Sequence, residues 1–262
     1  MLKLYGVLVR ASLRASMQYK TDFLLSALSH GIIMVTDFVL LAAILLKFDD
    51  IVGWSLAEVG LLYGISTITM SLYRLLAPEL HEFEKYMIQG EFDQLLIRPV
   101  SPLFLLLARK LDLGRIGGVV QGVLVLGYSF THLGTSLKVV WELLLYLPIT
   151  LLSGLLISFA LSIVTATVGF WTERIRDFQS FTLYAPYNAA NFPLSIYPDW
   201  LKGLFLSILP VGFMNYLPIA TLLGKGGHPL TLFISPFFAC VFLAGALGFW
   251  RFGLRHYHGT GS

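Results

Sequence analysis

The 262-residue chain is 56% hydrophobic and only 13% charged, with a formal net charge of +3 and a mean hydropathy of +0.77. A soluble domain carries roughly 25% charged residues, so composition excludes a water-soluble globule and predicts an all-α polytopic membrane protein. The basic residues are spread between apolar segments rather than gathered on one element, which argues against nucleic acid as a partner.

The chain opens with Tyr5, Val9, Leu13 and Met17 on one i, i+4 row, and Lys3, Arg10 and Arg14 on the opposite side. This pattern predicts an interfacial amphipathic helix; a helix packed on the bundle is the other reading. Six apolar segments then qualify as spans: 22–46, 56–76, 116–130, 139–170, 178–195 and 230–252. The fourth is long enough to tilt. The fifth is broken by proline. Between 178 and 223 stand Pro186, Pro193, Pro198, Pro210 and Pro218. The stretch is too short for three crossings, and two would send the basic C-terminus to the wrong side. One crossing followed by an outer re-entrant pair of short helices, 201–223, hinged at Pro210, keeps parity. Residues 1–258 form one domain, with 259–262 an appended tail. The lone Cys240 permits no intrachain disulfide and reads as a small packing residue.

Orientation follows from Lys and Arg. With both ends cytoplasmic, Lys47, Lys138, Lys202 and Lys225 lie outside, and every arginine lies inside. The chain is thus expected as a multi-pass protein of the cell membrane, in contact with lipid. Trp54, Trp141, Trp171, Trp200 and Trp250 fall at predicted helix ends, where amphipathic rings reach the interface.

No G-x-x-x-x-G-K-[ST] loop, H-E-x-x-H pair or G-x-S-x-G elbow occurs. The expectation is a non-enzyme with no metal and no cofactor of its own. The largest cytoplasmic segment, 77–102, carries the informative residues. His81 to Gln89 reads as a charged amphipathic helix stopped at Gly90. A second helix, Glu91 to Ile97, is stopped ahead of Pro99, with acids at its start and Arg98 at its end. Either this is a solvated loop with capped turns, or it is a rigid lever that docks on a partner.

Gly90-Glu91-Phe92-Asp93, followed by Leu95-Leu96, Arg98-Pro99 and Pro102, resembles a motif of type-2 ATP-binding-cassette exporter permeases. The amphipathic N-terminus, six spans, and Leu209-Pro210-Val211-Gly212 with Leu217-Pro218 match the same family. The resemblance implies a permease subunit that pairs with a second permease, like or unlike, and is driven by separate cytoplasmic ATPase subunits that hold ATP and Mg. It makes 77–102 a coupling segment, with Glu82, Glu84, Lys85, Gly90, Glu91, Asp93, Arg98 and Pro99 as coupling residues. Arg98 on a lipid phosphate is the other reading of that residue. The apolar interior suggests an amphipathic or hydrophobic substrate. A polytopic enzyme or scaffold without a motor is the rival from another class.

Asp37, in mid-span one, is costly at membrane depth and should face the bundle or a cavity. A hydrogen-bonded structural carboxyl and a substrate or proton path are both open. Tyr184, Tyr187, Asn188 and Asn191 form a polar-aromatic stripe that either lines a substrate path or bonds between helices. Glu173, Arg174, Arg176 and Asp177 read as local ion pairing at a cytoplasmic turn; a second coupling contact is the other reading.

Overall fold

The computed structural model describes Gly6, Arg10 and residues 20–48, 50, 52–172 and 174–257; within 20–48 many side chains lie outside the description. The amphipathic N-terminus, Glu173 and the tail 259–262 fall outside the described residues, as does the side chain of Asp37.

The described residues are helical. In chain order they form α1 (Lys20–Phe48), α2 (Leu56–Leu76), the short α3 (Pro78–His81), α4 (Phe83–Ile88) and α5 (Glu91–Leu96), then α6 (Pro102–Arg109), α7 (Ile116–Thr131) and α8 (Leu137–Thr172). After these come α9 (Arg176–Gln179), α10 (Ala185–Ala190), α11 (Asp199–Leu206), α12 (Tyr216–Leu222) and α13 (Thr231–Arg255). Among the described residues, four helices are long and apolar enough to cross a membrane: Leu56–Leu76, Leu113–Thr131, Leu137–Thr172 and Thr231–Arg255.

The elements start and stop for local reasons. α2 opens on a capping box: the Ser55 backbone N–H donates to Glu58 Oε2 at 2.7 Å, and the Glu58 N–H donates to Ser55 Oγ. Pro102 stands at the first turn of α6, where its missing N–H costs nothing. α7 does not extend back through α6; the chain breaks at 110–112 and re-enters through a single 3₁₀ turn, Leu113–Arg115. Residues 201–223 are two short helices on either side of a turn at Pro210.

Small residues set the helix spacing. α2 packs most closely on α7, and α8 on α13. A Cβ on Gly64 would lie 2.8 Å from Leu126 and 3.1 Å from the Gly122 carbonyl. One on Gly122 would lie 2.6 Å from Ile68. In lipid there is no hydrophobic drive between helices, so close backbone approach supplies the attraction. Asn215, fully buried ahead of α12, fixes the late segment to this pair. Its amide nitrogen lies 3.0 Å from Leu62 O, 2.8 Å from Ser66 Oγ and 2.8 Å from Ala190 O.

Trp54 and Trp250 are buried by the chain's own packing; the Trp54 ring lies tilted, 5.7 Å from that of Tyr216 and beneath Lys225. Cys240, expected as a packing residue, is exposed on α13. Segment 178–195 is interrupted: the helix passes Pro186 through a π turn, Ser180–Tyr184, just upstream, and ends at Ala190, ahead of Pro193; the widened turn accommodates the missing proline N–H. Arg174, Arg176 and Asp177 form no ion pair among the described residues. Their turn is held instead by Glu84, whose Oε2 accepts from the backbone N–H groups of Ile175 at 2.7 Å and Arg176 at 2.6 Å.

Candidate functional site

One end of the bundle carries a platform built from α3 to α6. Its inner face is aromatic. Phe83 meets Phe92 edge-on at 5.3 Å; Phe92 lies 5.2 Å from Phe170 near the end of α8, and Phe170 lies 4.9 Å from Trp250 near the end of α13. Tyr257, just beyond α13, closes the cluster at 5.2 Å from Phe92. Aromatic pairs in this range contribute about 0.5–1.5 kcal/mol each beyond the area they bury. The platform is therefore fastened to the ends of two long helices, and the chain's last described residue sits at the same end.

Gly90 makes the shape possible. Its φ of 66° is the left-handed conformation that ends one helix, and the same residue caps the next. The chain reverses between α4 and α5, so that Phe83, Tyr86 and Met87 point inward together with Phe92 and Leu95.

The charged residues divide into two groups. Glu79, Lys85, Tyr86, Glu91 and Arg109 brace the platform by pairing with one another, from the buried Glu79 and Tyr86 out to the exposed Arg109. Tyr86 donates its hydroxyl to Glu79, Arg109 donates to Tyr86 at 2.9 Å, and Lys85 meets Glu79 at 2.9 Å and Glu82 at 3.1 Å. Arg109 stands 3.8 Å from Glu91. Burial pushes the Glu79 carboxyl up, but the bonds from Tyr86 and Lys85 outweigh it and hold the group below its ordinary range. Burial and the adjacent Glu79 carboxylate raise the Tyr86 hydroxyl. Glu84 also faces inward, onto the α9 turn. The second group faces out: Glu82, Ile88, Gln89, Gln94, Leu96, Ile97, Arg98 and Pro99 are exposed, and Ile97 is 85% exposed. Asp93 is half-buried between them.

Of the candidate path residues, Tyr184 and Tyr187 lie together. They line a small pocket of about 70 Å³ with Met70, Ser71, Arg74 and Arg115. Asn188 is exposed and Asn191 is buried, so the four differ in their surroundings. Asp37 lies within α1, and its side chain is outside the described residues.

Sequence reasoning missed the residues that join platform and bundle. His81 Nε2 lies 2.8 Å from Tyr184 Oη, and its Nδ1 lies 3.3 Å from Tyr73 Oη. Gln179 Nε2 lies 2.8 Å from the His81 carbonyl and 3.2 Å from its Nδ1. The only cue in the sequence is polar residues beside an apolar run. Burial, and next the charges of Arg74 and Arg115, hold His81 down to about 3, so the folded protein keeps it neutral. The unfolded chain takes up a proton near pH 6.5. Below that pH the unfolded state binds the extra proton, and stability falls by about 1.4 kcal/mol per pH unit until the folded value is reached. Between pH 7 and 5 Glu79 is charged in both states and adds little. Thermal unfolding of the detergent-solubilised chain is therefore expected to weaken across that window, and His81→Gln to flatten the loss. An unchanged slope in the variant contradicts this assignment.

The opposite end of the bundle carries a different clamp. Lys225 meets Glu58 at 2.8 Å, donates to the Gly53 carbonyl and lies over the Trp54 ring. The Gly224–Gly227 cluster thus ties a loop to the start of α2. No group of three or more potential metal ligands occurs among the described residues.

Long apolar helices under an aromatic-anchored platform define a polytopic helical membrane protein. The family model for the ABC-2 family transporter protein matches residues 32–261, and the chain belongs to that family. It is accordingly a transporter membrane subunit and not itself catalytic. No curated protein and no solved structure matches it.

Proposed function

We propose that this chain is the permease subunit of an ATP-driven exporter, moving an amphipathic or hydrophobic substrate out across the cytoplasmic membrane. Separate ATPase subunits, which hold ATP and Mg, dock on the 77–102 platform, and a second permease subunit completes the membrane unit. The observation that carries this reading is the platform's two-sidedness. Its inner face is fastened to α8 and α13 by aromatic packing, while its outer face leaves Ile88, Leu96 and Ile97 exposed beside Arg98 and Pro99. Apolar side chains exposed on a rigid, charge-rimmed element favour a protein partner, and the rigid attachment gives that partner leverage on two long helices.

The same reading takes six crossings with both ends cytoplasmic. α1, at 29 residues, is about 43 Å long and ample for a span. Arg176 to Ala190 is only about 22 Å of helix, so the extended chain up to Pro198 completes the fifth crossing. α11 and α12 then form the outer re-entrant pair. This topology leaves every arginine on the platform side.

Co-expression with a candidate ATPase provides the test. A stable complex is expected, whose ATP hydrolysis in proteoliposomes depends on this chain. Hydrolysis that ignores the chain, or the absence of any complex, would favour a motorless membrane enzyme or scaffold.

A further inference from the structure

At the cytoplasmic end, a cleft of about 650 Å³ opens between the platform and the α9 turn, and Arg74 and Tyr184 line both it and the small inner pocket. The charges around the cleft are unevenly matched. At the rim Glu82 is held by Lys85, and Glu84 accepts from the Ile175 and Arg176 backbone. Arg115, beside the inner pocket, is paired to Asp112 at 3.0 Å. Arg74 has no carboxylate within ion-pairing distance among the described residues. It is half-buried at the last turn of α2, in the membrane's inner margin on the topology proposed above. A half-buried cation without a counter-charge is costly, and an anion from outside the chain relieves that cost.

The hydroxyl beside it is set up to donate. Gln179 Nε2 sits between the His81 carbonyl and Nδ1, both acceptors, so Nδ1 carries no proton. The ring proton is therefore on Nε2 and is donated to Tyr184 Oη. With its oxygen already accepting, Tyr184 directs its own O–H elsewhere, toward the pocket and the cleft that it lines. Arg74, Arg115 and Tyr184 come from three different segments and converge on one cavity. By volume it holds roughly five waters, which is room for a tetrahedral oxyanion.

We propose that the Arg74–Arg115–Tyr184 pocket binds a phosphoryl group, the anionic head of the exported amphipath, which enters through the cleft below the platform. The inference rests on the exporter reading and narrows its substrate class to anionic amphipaths. The same chemistry would also hold free phosphate, so the two sources need separate arms.

The test is direct binding to the full chain in detergent, which requires no motor. Its failure would leave the exporter reading standing, and a missing ATPase complex would leave this result standing. The probes are dioctanoyl phosphatidic acid, inorganic phosphate and neutral dioctanoylglycerol, measured by titration calorimetry. The phosphatidic acid is expected to bind, and Arg74→Gln to weaken it by about tenfold, the usual scale for one charge-assisted hydrogen bond. Tyr184→Phe should weaken it severalfold, and Lys138→Gln at the far end should leave it unchanged. Arg74→Lys, which keeps the charge, should recover part of the loss and serves as the check on folding. Binding of the lipid but not of inorganic phosphate assigns the site to a headgroup; equal binding of both assigns it to free phosphate, and either outcome supports a phosphoryl site. Equal binding of dioctanoylglycerol and phosphatidic acid, or no change on Arg74→Gln, overturns the proposal.

Discussion

Replacing Ile97 with aspartate and Arg98 with glutamate together is expected to abolish ATP-driven transport while leaving the chain folded. Ile97 is 85% exposed and Arg98 is also exposed, so neither supports the platform's core and the free chain loses little by the change. Against a docked ATPase the effect is large. A charge placed where an apolar anchor is desolvated, next to a reversed charge, costs several kcal/mol of binding through truncation and like-charge contact. At about 1.4 kcal/mol per factor of ten, that is a loss of a hundredfold or more in complex formation. The measurement is transport and ATPase stimulation in proteoliposomes, with melting of the purified variant beside it. Normal transport by the double variant would remove the docking face from the account.

The second large effect lies on the opposite face of the same element. Phe92→Ala is expected to destabilise the protein by about 3–5 kcal/mol, the usual range for removing a buried phenyl ring. Phe92 is fully buried and touches Phe83, Phe170, Trp250 and Tyr257. Its loss leaves a cavity at the point where the platform, α8 and α13 meet. Thermal unfolding of the solubilised variant measures the loss. The two faces separate by phenotype: the outer double variant melts normally and does not couple, whereas Phe92→Ala melts early. Near-native stability of Phe92→Ala would mean that the platform is not held by this cluster.

The contrast between these faces shows what was legible beforehand. The long helices were readable because apolar length and end signals are local properties. α2 begins on a Ser55–Glu58 capping box, and α4 ends against Gly90. The platform's helices were also readable, since glycine and proline punctuate them. Which side of each helix would meet which neighbour was not readable. Glu84, Lys85 and Glu91 have the composition of a docking surface, yet each has a partner within the fold: Ile175, Glu79 and Arg109. A charged residue's partner across the fold leaves no trace in its own neighbours along the chain. Trp54 and Trp250 stand at helix ends and look interfacial, but tertiary packing covers both. Arg74 and Arg115 served first only to orient the chain, because their convergence on one pocket needs two helix ends brought together in three dimensions.

The central claim is that the exposed edge of the platform is where a separate motor docks. The most direct measurement is site-specific cross-linking in a chain whose own cysteine is removed by Cys240→Ser. Ile97→Cys, on the platform, and Lys138→Cys, at the other end of the bundle, are each treated with a short bifunctional thiol-to-amine reagent in the presence of the co-expressed ATPase. The account predicts a cross-linked permease–ATPase band from Ile97→Cys and none from Lys138→Cys. A cross-link from Lys138→Cys, with Ile97→Cys unlinked in an intact complex, would contradict it.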